Sequence, residues 1–177
     1  MTAHSDRTRR LVLLRHAKAQ QDFDGPDELR ALTDVGRRQS AWVGEALAVA
    51  GFVPEVALVS SAVRTRETWE FLADAFDPVP EAQFRDELYG ASPGSLLEAV
   101  RGVDERIRSV LVVGHEPTIS RTAALLASAE SVPRLVERVS LGVPTATLAV
   151  LELSVPWSAL DPQGARLVDV VVAPRRD

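Results

Sequence analysis

"LVLLRHAKAQ", residues 11 to 20, runs four apolar residues straight into Arg15 and His16 and then turns polar. The run reads as a buried strand, and its end presents a guanidinium and an imidazole side by side. Further along, short Val- and Leu-rich runs alternate with longer amphipathic ones, as in a sheet covered by helices. Strands are expected over Arg10–Arg15, Val56–Val59, Val110–Val113, Thr145–Leu153 and Arg166–Val172. Helices are expected over Asp34–Ala50, with Thr33 or Asp34 as N-cap and Gly51 as a stop, over Arg64–Ala75, over Gly94–Arg101, and from near Pro117. The stretch Asp77–Ser92 has two prolines, no clean period and a Tyr89-Gly90 turn signal, so it reads as an excursion over the sheet edge. The short connection before Arg166 predicts an antiparallel final pair and hence a mixed, mostly parallel sheet between helical layers, an α/β three-layer sandwich.

The 177 residues, 46% of them hydrophobic, suit a single domain spanning 1–177, with residues 1–9 expected as a flexible tail. Acids outnumber bases 25 to 20, and the formal charge of -5 opposes a non-specific grip on nucleic acid or anionic membrane. An anion site must therefore be a local basic pocket. The absence of cysteine excludes disulfides, thiolate catalysis and Cys-based zinc sites. Before Arg15 only four apolar residues follow a polar start, short of a signal-peptide core or a membrane span, and a cytoplasmic protein is expected.

Open α/β sheets bind ligands beyond the carboxyl ends of their strands. There the first strand ends in Arg15-His16, the second leads through "SSAVRTRET" to Arg64, and the third ends in "VVGHEP" with His115. Two of the three histidines thus meet two arginines, while His4 falls in the expected tail. An arginine starting a helix opposes the macrodipole unless an anion sits there too. The planar forks of Arg15 and Arg64 match phosphate oxygens, neutral His16 has a lone pair for in-line attack on phosphorus, and a charged His115 would add donors in the transition state. Two distant histidines with no cysteine and no HExxH pattern make a poor zinc site, and no metal or cofactor is expected. Arg66 reads as a surface ion-pair residue. Lys18, Ser60 and Ser61 have ordinary loop and turn explanations and stay outside the catalytic set, and the three tryptophans read as packing residues.

"LRHAKA", "SSAVRTRET" and "VVGHEPTIS" together resemble the histidine phosphatase superfamily, specifically its compact SixA-like phosphohistidine phosphatase branch, with Ala17 in place of the usual glycine. The resemblance implies a phosphoglycerate mutase-like fold, Arg15 and Arg64 as phosphate ligands, His16 as nucleophile and His115 as stabilising histidine. It also implies a carboxylate acid a few residues before a glycine, and "RDELYG" offers both Asp86 and Glu87, with an exposed acidic turn paired to Arg85 as the alternative. The short chain lacks the large helical insertion of bigger members, which suits a phosphorylated protein as substrate. The expected activity is metal-independent phosphomonoesterase chemistry, foremost on protein phosphohistidine. A phosphatase of small sugar, nucleotide or lipid phosphates, and a non-catalytic phospho-ligand binding module, are the alternatives.

Overall fold

The computed structural model describes residues 8–175, so the region of His4 lies outside the described residues. The elements run β1 (Arg9–Arg15), α1 (Asp34–Val49), β2 (Val56–Ser60), α2 (Val63–Ala73), β3 (Glu81–Arg85), α3 (Pro93–Arg101), β4 (Ser109–Gly114), α4 (Thr118–Leu126), α5 (Pro133–Ser140), β5 (Thr147–Leu153) and β6 (Arg166–Val172). The strands form one sheet in the order β3-β2-β4-β1-β5-β6. The β1–β4, β4–β2 and β2–β3 pairs are parallel; β5 and β6 join antiparallel, making the sheet mixed as expected.

The unbroken apolar run of β1 is explained by burial on both faces. Leu11 and Leu13 pack into the layer carrying Leu96 of α3, Ile119 of α4 and Val139 of α5. Val12 and Leu14 point to the opposite layer, with Val43 of α1 and Leu72 of α2. The alternation follows the two-residue period of a strand, so each residue finds an apolar partner on its own side. Helix α1 begins where the Thr33 hydroxyl accepts from the Gly36 amide at 3.1 Å and stops before Gly51, whose φ of 71° no side chain favours.

Four expectations needed correction. Asp77–Ser92 is more than an excursion: it holds the edge strand β3, whose polar, largely exposed residues give no core-facing signal and whose pairing comes from β2. Helix α5 went unrecognised because it is short and buries only Leu135 and Val139. Strand β5 starts at Thr147 rather than Thr145, because Ala146 sits at φ 54°, in a left-handed conformation that a strand cannot include. That strained alanine donates its amide to the His16 carbonyl at 3.0 Å, fixing the chain beside the end of β1. Arg9, expected in the tail, is instead in β1 and pairs with Glu105 at 3.0 Å.

Candidate active site

Because β2, β4 and β1 are neighbours and run parallel, their carboxyl ends deliver Ser60, Gly114-His115 and Arg15-His16 to one edge of the sheet. The His16 and His115 ring centroids are 5.4 Å apart. Arg15, His16, Arg64 and His115 thus come to one region from three separate parts of the chain.

His16 is buried, and its Nδ1 lies 2.7 Å from the Ala17 carbonyl oxygen. A carbonyl only accepts, so Nδ1 carries the proton and Nε2 keeps its lone pair. Burial, followed by the nearby charges of His115, Arg64 and Arg15, pushes the His16 pKa down to about 3, against the opposing effect of the Ala17 carbonyl. Ala17 itself is not in a left-handed conformation, which removes any backbone need for glycine there. Its amide donates to Thr68 Oγ1 at 3.1 Å, and that hydroxyl donates to the Arg64 carbonyl at 2.6 Å, tying the loop after β1 to α2.

His115 Nε2 lies 2.7 Å from Ser60 Oγ. Burial first, and Arg64 next, push its pKa down to about 4. The histidine expected to work as a cation is therefore neutral near pH 7 in the anion-free protein, and a bound phosphate would favour its protonation. Ser60, set aside on sequence grounds, is fully buried and belongs to the site.

Arg15 is half-buried, and its Nη1 donates to the Val143 carbonyl at 2.7 Å. The Val143 amide in turn donates to Glu116 at 3.1 Å, and the Glu116 carboxylate also accepts from the Ser120 amide at 2.9 Å in the first turns of α4. Glu116 of the Gly-His-Glu-Pro segment thus braces the loop that holds Arg15.

Buried Arg64 donates to the Asp27 carbonyl and to Asp27 Oδ2, each at 2.9 Å. The same carboxylate accepts from the Tyr89 hydroxyl at 2.7 Å and from Arg30 Nε at 2.8 Å. The Tyr89 hydrogen bond first, then Arg30 and Arg64, hold Asp27 well below the usual carboxylate range, so it stays ionised. The Tyr89 ring meets His115 edge-on at 5.5 Å. Asp27 carried no sequence signal and Tyr89 only that of a turn, since each reaches Arg64 from a segment far away in the chain.

The two carboxylates expected to supply an acid sit differently. Asp86 and Glu87 are exposed in a single 3-10 turn after β3, and Glu87 pairs with Arg85 at 2.5 Å, which holds its carboxyl below the ordinary range. Among the described residues neither makes a hydrogen bond or ion pair with Arg15, His16, Arg64 or His115. The arrangement can hold an anion with arginines and attack it with a neutral imidazole, and among the described residues no carboxylate hydrogen-bonds to either histidine.

The profile of the histidine phosphatase superfamily (branch 1) matches residues 11–143. An uncharacterized protein of Mycobacterium tuberculosis is 36% identical over 156 residues, covering 88% of this chain and 96% of the relative. Among solved structures, the SixA of Nakamurella multipartitia superposes with a TM-score of 0.82 at 31% identity, covering 94% of this chain and 96% of its own. The SixA of Agrobacterium tumefaciens gives 0.76 at 30% identity, covering 94% and 99%. With the family profile matching three quarters of its length and solved SixA structures superposing over nearly all of it, this chain belongs to the histidine phosphatase superfamily.

Proposed function

We propose that the chain hydrolyses phosphohistidine on a protein substrate by way of a phospho-His16 intermediate. Arg15 and Arg64 hold the phosphoryl oxygens, with Asp27 and Glu116 setting the two guanidiniums in place. His16 Nε2 attacks phosphorus while the bond from phosphorus to the substrate ring breaks; the substrate ring, protonated beforehand from solvent on its other nitrogen, takes the electron pair of that bond and leaves as neutral imidazole. Water then attacks phospho-His16, giving inorganic phosphate and restoring the imidazole. His115, next to Ser60, supplies a donor to the oxygens as negative charge builds.

The observation that carries this reading is the placement of the carboxylates. Asp27 is kept ionised by its three partners, and among the described residues Asp86 and Glu87 make no hydrogen bond or ion pair with the four central residues. Imidazole, whose conjugate acid has a pKa of about 6.5, leaves without much help. A serine alkoxide, like hydroxide from water with a pKa of about 15.7, does not. The SixA relatives from N. multipartitia and A. tumefaciens, named for phosphohistidine, agree with that choice.

The test compares kcat/KM, with chelator present, on a phosphohistidine peptide, a phosphoserine peptide of the same sequence and a panel of small phosphate esters. A preference for phosphohistidine over phosphoserine of about 100-fold or more is expected. Comparable efficiency on both peptides, or a clear preference for one small ester, overturns the reading.

A further inference from the structure

A cleft of about 740 Å³ opens at Arg15 and His16 and continues past Lys18 and Gln39 to Arg175 in the C-terminal segment. Clefts of this size, within the roughly 300–1,000 Å³ range of ligand pockets, exceed what one phosphoryl group fills. Among the described residues four cations line it, Arg15, Lys18, Arg30 and Arg175, and no carboxylate does, in a chain whose acids outnumber its bases 25 to 20. Neither Arg64 nor His115 lines it, so this positive charge is additional to theirs.

The four cations are not equivalent. Arg30 is committed to Asp27 at 2.8 Å and to the Gln20 carbonyl at 2.7 Å, and Arg15 to the Val143 carbonyl. Lys18 and Arg175 stand exposed on the wall, and Arg175 is near enough to Arg15 to oppose its charge. Gln39 adds a built element. Its side chain is 3% exposed, and its Oε1 accepts from the Lys18 amide at 3.1 Å. That bond orients the amide, leaving Nε2, which has no hydrogen-bond partner among the described residues, as the donor end in the cleft wall. Like charges gathered beside an oriented, unused donor repel one another unless an anion joins them.

We propose that Lys18, Gln39 and Arg175 form a second anion subsite, which takes the carboxylate of an Asp or Glu flanking the phosphohistidine of the substrate protein. The assignment rests on the phosphohistidine reading above. A protein segment fits better than a small bis-anion because Lys18 and Arg175 are open to water. Small-ligand sites bury most of the ligand, whereas a docked segment brings its own surface to cover the trough.

The experiment uses phosphohistidine peptides alike except for Glu or Gln at the flanking positions, on the wild type and on the double variant Lys18→Gln/Arg175→Gln. Two exposed charge contacts of mid-range strength together correspond to an effect approaching about tenfold. The wild type is expected to show a KM about five- to tenfold lower on the Glu peptide. In the double variant the ratio falls to about one, and added salt near 0.5 M shrinks the wild-type ratio. No Glu preference in the wild type, or a preference that survives in the double variant, overturns the subsite.

Calorimetric binding of phosphonoacetate against methylphosphonate separates the two readings, since it needs no turnover. If no phosphohistidine peptide is hydrolysed yet phosphonoacetate binds several-fold tighter in the wild type alone, the anion subsite stands. In that outcome the protein-substrate reading fails, and with it the flanking-residue assignment. Equal binding of the two compounds by the wild type counts against the subsite itself.

Discussion

Lowering the pH from 7 to 5 should destabilise this protein far more than its surface carboxylates would suggest, because both histidines of the site fold neutral. Their folded pKa values of about 3 for His16 and about 4 for His115 lie below the ordinary value of about 6.5. The unfolded chain therefore takes up protons first as the pH falls. The stability associated with each neutral imidazole is present above pH 6.5 and declines from there until the folded pKa is reached. At pH 5 an unfolded imidazole is almost fully protonated and the folded one almost not at all, so linkage gives a loss of about 2 kcal/mol per histidine between pH 7 and pH 5. His16 is only 7% exposed, so solvent screening does little to reduce its share. Urea unfolding of the wild type, His16→Asn and His115→Asn at pH 7, 6 and 5 reads the effect, and each variant should lose about half of the pH dependence. Stability independent of pH over this range, or a slope unchanged in both variants, would refute the neutral pair. The accompanying reading of His16 as a nucleophile that needs no deprotonation at pH 7 would then fail as well.

Other expectations follow from the same contacts. His16→Ala should abolish both turnover and the acid-labile phosphoenzyme seen after rapid quench with labelled substrate; retained labelling would move the nucleophile elsewhere. Arg64→Ala should lower kcat/KM by about 100-fold or more, in line with loss of a preorganised donor to the transferring group, and unchanged efficiency would make the Arg64–Asp27 pair purely structural. Asp86→Asn and Glu87→Gln should each keep phosphohistidine turnover within about twofold of wild type, since among the described residues neither side chain hydrogen-bonds or pairs with Arg15, His16, Arg64 or His115; a much larger loss in either would identify an acid. Gly36→Ala, which at an open helical position would stabilise by up to about 1 kcal/mol, should instead cost about 1–3 kcal/mol by thermal unfolding. The added Cβ would collide with the Lys18 carbonyl oxygen, forcing α1 away from the loop that follows His16.

The sequence by itself determined the α/β class, five of the six strands and the four strand-end residues Arg15, His16, Arg64 and His115. These were legible because each signal is local: an apolar run buried on both faces, followed at once by the residues that its end presents. What only the tertiary structure decided was which groups meet those four. Asp27 and Tyr89 reach Arg64 from positions 37 and 25 residues away along the chain, Ser60 comes to His115 only because β2 lies beside β4, and Arg175 joins the cleft from the last described residues. The exposed acids of the 3-10 turn after β3 have the right composition for an acid but pair locally, Glu87 with Arg85, because an edge strand leaves them facing water. Residue type sets what chemistry a side chain can do, whereas contact across long sequence separation depends on loop paths that packing alone selects.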